Sequence, residues 1–262
     1  MGSISNRFVR RFNNRLAAQG FLMKMHAGFC AIPPSMRTRF IEILRPAFHG
    51  LPKGWQSAFH RARDRWQNAA GRRRFQRQLR AGAPLRIVVG TSGMSLPGWI
   101  SSDIGYLNLV RPEQWAGYFS PASLEAILAE HVWEHLSLEE GRIAARTCYH
   151  FLQPGGYLRV AVPDGFHPDP AYRGWVEVGG VGFGADDHKM LYDHQSLGGL
   201  FTQAGFAVTL LEYFDAQGEF HAAAWDPADG MIRRSRRFDP RNRGGELRYT
   251  SLILDARKPA SA

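Results

Sequence analysis

The stretch from Leu85 to Asp164 constrains the fold most, because apolar runs alternate there with tight turns, a helix and acidic ends. The first apolar run ends in a glycine turn at residues 90–93, and the second ends at Asp103. A third run ends in Glu130, a helix follows, and a Pro-Gly-Gly turn leads into the last run. This order is typical of a parallel α/β sheet with its ligand site at the carboxyl ends of the strands.

Short apolar runs predict six strands along the chain. Their bounds are Leu85–Val89, Trp99–Ser102, Ser123–Ala129, Tyr157–Val162, Phe206–Tyr213 and Tyr249–Ala256, and the last two are expected to form an antiparallel pair. Ser137 and Glu140 have the spacing of a capping box and predict the start of a helix, and a second helix is predicted over Gln195–Ala204. The polar insertion at residues 215–247 is long enough to be either functional or disordered.

The interval between the glycine turn and the first acidic strand end is short. Asp103 lies 13 positions after Gly90, whereas the dinucleotide fingerprint expects about 20 residues before its ribose-binding acid. This spacing disfavours a nicotinamide-dependent enzyme. It also leaves little room for a crossover helix, so that helix must be very short or come from elsewhere, such as the helix predicted at about Gln56–Leu79, before Pro84.

Charge divides the chain into two parts. Residues 1–80 carry a net charge of +15 and residues 81–262 a net charge of −5. We therefore predict a basic helical N-terminal extension over 1–80 and an α/β domain over 81–262. Residues 6–26 have the pattern of a basic amphipathic helix, which could contact an anionic membrane or nucleic acid, or could simply make the chain more soluble.

Cysteine usage and hydropathy predict a protein of the cytoplasm. The two cysteines do not form a CxxC pair, which argues against a disulfide framework and against a thiolate zinc site. No apolar run reaches the roughly 18 residues of a spanning helix. Arginines interrupt every apolar run near the amino terminus, so no signal peptide is expected.

Three strings together resemble the class I S-adenosylmethionine-dependent methyltransferases, and within them the type 11 group. The strings are GTSGMSLPGWISSD, AEHVWEHLSLEEG with FLQPGGYLRVAVPD, and DDHKMLYDHQSLGGLFTQAGF. The resemblance covers about residues 85–256. It implies a Rossmann-like, doubly wound, mostly parallel sheet of seven strands with a terminal antiparallel hairpin. It also implies S-adenosylmethionine as the cofactor.

The resemblance assigns cofactor-binding positions in this chain. The glycine turn would face the methionine part, Asp103 the ribose hydroxyls, Leu107 and Asn108 the adenine, and Glu130 with His131 the sulfonium. The turn itself comprises Gly90, Thr91, Ser92 and Gly93. Ser92 stands where the group usually has its second glycine.

Candidate catalytic residues follow the third and fourth predicted sheet strands. His131 has a suitable pKa range and position for a base, and Asp164 and His188 lie where substrates enter such folds. Asp187 could orient His188. If helical, His131 and His135 would share a face that suits a metal, but no third ligand is evident in the sequence and we predict none. Glu134 and His135 are more simply explained as residues that cap the nearby helix.

These patterns predict a methyltransferase that acts on a small molecule or on a glycan- or lipid-linked precursor. A peripheral contact between residues 1–30 and an anionic membrane accompanies this prediction. The alternative is a nucleic-acid-binding protein or an RNA methyltransferase on the same fold, with the basic arm as the contact. The arm lacks the interleaved aromatic residues of a single-strand platform.

Overall fold

The computed structural model describes residues 68–82, 85–91, 96–182 and 184–260, which belong to a compact unit spanning Asn68–Ala262. The predicted amphipathic helix at residues 6–26 and the turn residues Ser92 and Gly93 lie outside the described residues. No helix among those described is long and apolar enough to cross a bilayer.

Seven strands form one sheet in the order β2-β1-β3-β4-β7-β5-β6. Their bounds are Arg86–Val89 (β1), Ile100–Ser101 (β2), Leu124–Glu130 (β3), Leu152–Pro163 (β4), Ala207–Phe214 (β5), Phe220–Ala222 (β6) and Ser251–Arg257 (β7). Strands β1 to β4 run parallel, whereas β7 is antiparallel to both β4 and β5, and β6 is antiparallel to β5. The mostly parallel sheet with an antiparallel end confirms the predicted fold.

The α-helices among the described residues number five. Helix α1 covers residues 68–80, followed by Pro112–Ala116 (α2), Leu138–Phe151 (α3), Pro170–Val176 (α4) and His194–Gln203 (α5). The predicted capping box is present at α3: the Glu140 N–H donates to Ser137 Oγ at 3.3 Å, and the Ser137 N–H donates to Glu140 Oε2 at 2.8 Å. These two bonds satisfy amide groups that the first helical turn leaves without partners.

Helix α1 packs in the core of this unit through Phe75. That ring is fully buried and lies 5.6 Å from Tyr106, 5.1 Å from Tyr118 and 6.1 Å from Phe119, centroid to centroid. These three partners all lie in the connection between β2 and β3. The helix before Pro84 therefore contributes to the main core of this unit.

Successive residues of a strand point to opposite faces of the sheet. Different parts of the chain pack on these two faces. Ile127, Leu158 and Leu254 pack on the face that also buries residues of α1, α2, α3 and α5. On the opposite face Leu128 and Ile253 pack with Ile232 of the insertion at residues 215–247. The predicted insertion is thus an ordered part of the fold in the described structure, and it includes β6, which the sequence patterns did not predict.

Candidate functional site

The glycine turn after β1 and the acid after β2 are tied together by Ser102. The Ser102 N–H donates to the Val88 carbonyl at 2.8 Å, and its hydroxyl lies 3.0 Å from the same oxygen. In return, the Thr91 N–H and hydroxyl reach the Ser102 carbonyl at 3.2 and 3.1 Å. We call this set of bonds the Ser102 clamp. It holds Asp103, the next residue, beside the turn that begins at Gly90.

Gly90 satisfies two requirements of this turn. Its φ of +66° lies in the left-handed region, where residues with a Cβ are strained. A Cβ at this position would also lie 2.7 Å from Cγ2 of Val132. The close approach brings the end of β1 against the segment that follows β3, so the glycine is needed for the local packing as well as for the turn.

A pocket opens over the carboxyl ends of β1 and β3. Its lining comprises Val88, Val89, Gly90, Thr91, Leu96, Leu128, Glu130, Met231 and Arg233. The sequence patterns had indicated the turn and Glu130. Met231 and Arg233 come from the insertion at residues 215–247. The unusual length of this insertion was the only sequence signal that it could be functional.

The Glu130 carboxylate holds the insertion over this pocket through two hydrogen bonds. Its Oε1 accepts the backbone N–H of Arg234 at 2.9 Å, and its Oε2 accepts that of Arg233 at 3.2 Å. Both carboxylate oxygens are therefore engaged with the chain itself. In this structure Glu130 holds the segment 231–234, which we call the cover segment.

Two buried charged residues also anchor the insertion. The Arg159 guanidinium pairs with Asp255 at 2.7 and 2.9 Å and donates to the carbonyls of Asp226 and Gly230 at 3.1 and 2.8 Å. Glu212 accepts from the Arg236 backbone N–H at 2.7 Å and from other polar groups. Buried charges are tolerated when they are paired and fully hydrogen-bonded, as here.

His131 has a left-handed backbone, with φ of +56°. Its N–H donates to the Ala161 carbonyl at 2.8 Å, its Nε2 lies 2.9 Å from the Ser251 hydroxyl, and its Nδ1 lies 3.0 Å from Glu134 Oε1. Such strain at a non-glycine residue persists only where surrounding contacts enforce it, and functional sites are a common location for it. Both ring nitrogens of His131 already have neighbours within the protein.

The Ser251–His131–Glu134 series has the residue types of a nucleophile, a base and an orienting acid. Ser251, however, is fully buried on β7. A substrate carbonyl cannot approach a hydroxyl that is enclosed in the sheet. The series therefore holds the His131 ring in place and does not support hydrolysis.

Asp164 is fully buried, and the chain occupies both of its carboxylate oxygens. Oδ1 accepts the Phe166 N–H at 3.0 Å and Oδ2 accepts the Phe214 N–H at 2.8 Å. Burial raises the pKa of this carboxyl to about 6, although the two amide donors act in the opposite direction. Through the hydrogen bond from Phe214, Asp164 connects the end of β4 to the end of β5.

The two residues expected near the adenine have different surroundings. Leu107 is almost fully buried in the core. The Asn108 side chain accepts the Val110 N–H at 2.9 Å, and the Asn108 backbone N–H donates to Gln114. Among the described residues, neither of these two side chains lines the pocket.

His188 and Asp187 do not form the pair that their adjacency had suggested. The Nδ1 of His188 lies 2.7 Å from the Val176 carbonyl, and the Asp187 carboxylate lies 3.5 Å from Nδ1 of His135. The imidazoles of His135 and His188 face each other edge to face at 4.9 Å. The fold thus brings His188 beside the segment that carries Glu134 and His135.

No protein-family model and no curated protein matches the sequence. Solved structures with a similar fold include an S-adenosylmethionine-dependent methyltransferase from Archaeoglobus fulgidus, with 14% identity, TM-score 0.41, and coverage of 74% of this chain and 94% of that one. Another is an S-adenosylmethionine-dependent methyltransferase from Mesorhizobium loti, with 14% identity, TM-score 0.39, and coverage of 69% and 96%. An O-methyltransferase family protein from Burkholderia thailandensis has 12% identity, TM-score 0.40, and coverage of 84% and 64%.

The strand directions and the antiparallel end of the sheet provide the structural basis for the fold assignment. The described unit has a Rossmann-like α/β fold, with a mostly parallel sheet that ends in antiparallel strands.

Proposed function

We propose that this protein transfers a methyl group from S-adenosylmethionine to a small molecule or to a glycan- or lipid-linked precursor. The observation that supports the proposal is the Ser102 clamp, which holds Asp103, the next residue, beside the Gly90 turn. No side chain or backbone group among the described residues donates a hydrogen bond to the Asp103 carboxylate. It is thus available to accept hydrogen bonds from a ribose diol at the mouth of the sheet.

The residues present fit such a cofactor at three points. The turn at Gly90 and Thr91 offers backbone at close range, and Val88, Val89 and Leu128 offer apolar walls. Asp103 does not line this pocket, but it offers a carboxylate on the residue that follows Ser102. S-adenosylmethionine supplies the methyl group on a sulfonium when it is bound. The protein's part in the reaction is alignment of the acceptor and exclusion of water, since methyl transfer needs little acid–base help.

The cover segment favours a small acceptor or the small end of a linked one. Met231 and Arg233 line the pocket from above, and Glu130 fixes their backbone. A pocket closed on this side admits a compact group more readily than a broad macromolecular surface. Arg233, with its exposed side chain, could bind an anionic group on such an acceptor.

Calorimetric titration with S-adenosylhomocysteine tests the proposal directly. We expect saturable binding, and we expect Asp103→Ala to weaken it by about 1–3 kcal/mol, because hydrogen-bonding groups lose their partner. Glu246→Ala is the matched control, since Glu246 is exposed and pairs only with Arg248 among the described residues. Absence of binding to the wild-type protein would refute the cofactor, and equal affinity in both variants would remove Asp103 from this role.

We further propose that residues 1–30 contact an anionic membrane surface. The support is the sequence alone, in which the net charge of +15 over residues 1–80 accompanies an amphipathic pattern. Deletion of residues 1–30 should lower binding to anionic liposomes at low salt and leave S-adenosylhomocysteine affinity nearly unchanged. Equal liposome binding by the full and shortened chains would reject the membrane contact, and loss of cofactor binding would assign the arm to the fold.

A further inference from the structure

Three side chains with metal-binding atoms converge beside the 3₁₀ turn Trp133–His135. They are Glu134, His135 and His188, and each offers one ligand atom within 4.8 Å of the other two. The first two are neighbours in sequence, whereas His188 comes from the segment after the 3₁₀ turn Ala185–Asp187. This cluster is separate from the residues that line the pocket over β1 and β3.

Backbone hydrogen bonds hold the two segments together. The Glu134 carbonyl accepts the N–H groups of Lys189 at 2.7 Å and Met190 at 3.1 Å. These bonds begin one residue after His188, so the imidazole is held against the Glu134 turn. The cluster is therefore built by the fold and does not depend on the chance position of a mobile surface side chain.

The His188 ring is oriented as a ligand would be. Its Nδ1 lies 2.7 Å from the Val176 carbonyl. A carbonyl oxygen can only accept, so Nδ1 must carry the proton, and in the neutral ring the lone pair is then on Nε2. Metal-binding histidines commonly donate their other ring N–H to a backbone carbonyl in this way, which fixes both tautomer and orientation.

The other two side chains have buried polar atoms without hydrogen-bond partners. Glu134 is fully buried, and neither of its carboxylate oxygens completes a hydrogen bond with the described residues, although His131 Nδ1 lies 3.0 Å from Oε1 as an ion-pair contact. His135 Nδ1 is likewise enclosed and lacks a hydrogen bond, with an Asp187 carboxylate oxygen 3.5 Å away. Buried polar groups are nearly always satisfied, so a concentration of unsatisfied ones indicates a missing partner.

We propose that Glu134, His135 and His188 bind a divalent transition-metal ion of the Zn²⁺ class. Two imidazoles and one carboxylate are a ligand set that such ions accept while retaining an open position, whereas Mg²⁺ and Ca²⁺ prefer oxygen ligands alone. The cation would also balance the buried Glu134 charge. Ligand atoms around a tetrahedral ion lie roughly 3.4 Å apart for bonds of about 2.1 Å. The three ligand atoms, all within 4.8 Å of one another, are therefore near the separation that such an ion requires.

A second cluster of potential metal ligands differs from the first, because its Asp215 carboxylate already has hydrogen-bond partners. Asp215, Glu219 and His221 also approach within 4.8 Å. There, however, Asp215 Oδ1 accepts two backbone N–H groups at 2.9 Å, and Oδ2 lies 2.7 Å from His221 Nε2. These atoms already have partners, so we expect no metal ion at this cluster. His221 therefore serves as the control position.

The test uses the full chain, freed of metal with a chelator and titrated with Zn²⁺ in a calorimeter. Conservative variants His135→Gln, His188→Gln and their double variant are compared with His221→Gln, and circular dichroism without metal checks that each is folded. We expect each single variant to weaken one Zn²⁺ site at least about 10-fold. The double variant should lose one equivalent, and His221→Gln should retain it.

Thermal melts give a second readout that does not depend on calorimetric fitting. A Zn²⁺ concentration about 100-fold above the dissociation constant should raise Tm by about 5–10 °C in the wild type and not in the double variant. Failure of the folded wild-type chain to bind Zn²⁺ would overturn the proposal. So would equal stoichiometry and affinity in the double variant, because the ion would then be bound elsewhere. Neither result bears on S-adenosylhomocysteine binding, which is measured separately.

Discussion

The Nε2 atom of His131 lies 2.9 Å from the hydroxyl of Ser251, joining the turn after β3 to the start of β7. The two residues are 120 positions apart in the chain. The contact helps to keep His131 in a left-handed conformation, at φ of +56°. Backbone strain and side-chain contacts at this residue can therefore be separated by substitution.

His131→Gly and His131→Ala should differ in stability, although both remove the ring. Glycine tolerates a left-handed φ, whereas alanine keeps the strain of its Cβ, so we expect the glycine variant to be more stable by about 1 kcal/mol. Urea denaturation measures the difference. Ala122, at φ of +55° and exposed, is the control: Ala122→Gly should stabilise the protein by up to about 1 kcal/mol. A more stable His131→Ala variant would contradict this account.

Gly90→Ala should destabilise the protein more than Gly98→Ala. Both glycines have positive φ, +66° and +77°, so both substitutions introduce similar backbone strain. The new Cβ at position 90 would meet Val132 Cγ2 at 2.7 Å, whereas nothing lies within 4 Å of the one at position 98. We expect losses of about 2–3 kcal/mol and about 1 kcal/mol respectively, measured by chemical denaturation. Equal losses would show that Val132 moves aside without cost.

Asp164 should make stability depend on pH in a defined window. Burial raises the pKa of its carboxyl from 3.8 to about 6. The folded state therefore binds the proton more tightly, so this stabilisation is complete below about pH 4 and is lost as pH rises through about 6. The loss is on the order of 3 kcal/mol.

Asp164→Asn provides the measurement, because the amide does not titrate. The stability of the wild type relative to this variant, from urea denaturation at a series of pH values, should fall between pH 4 and pH 6 and stay constant above about 7. Titrating groups that the two proteins share cancel in this difference. A difference that stays flat across the series would show that the Asp164 pKa is not raised.

Glu130→Ala should release the cover segment. The Arg233 and Arg234 N–H groups would lose their carboxylate acceptor, and a loss of about 1 kcal/mol corresponds to a roughly fivefold rise in local opening. Trypsin cleavage at residues 233–237, followed by mass spectrometry, reports this opening. Glu125→Ala is the control on the same strand, since Glu125 pairs with Arg86 at the surface. Equal cleavage in the two variants would mean that Glu130 does not hold the segment.

Local sequence determined much of the sheet and the start of its central helix. The apolar run at β1, the capping box at Ser137 and Glu140, and the strands that became β5 and β7 depend on neighbouring residues, whose pattern is visible in the chain. The strand β6 was missed because three residues within a polar insertion give too short a pattern. The turn at Gly90 and the acid at Asp103 were likewise evident, because strand ends concentrate such residues.

Tertiary structure alone decided how the polar residues are paired. Glu130, predicted to lie beside the cofactor, lines the pocket, and its carboxylate accepts backbone amides 103 and 104 positions away. His131 and His135 showed no third ligand in the sequence and no metal was predicted, whereas the fold groups His188 with Glu134 and His135. Contacts between distant residues depend on how the whole chain folds back on itself. A sequence pattern read over one or two turns of local structure contains the residue types for such sites but not their partners.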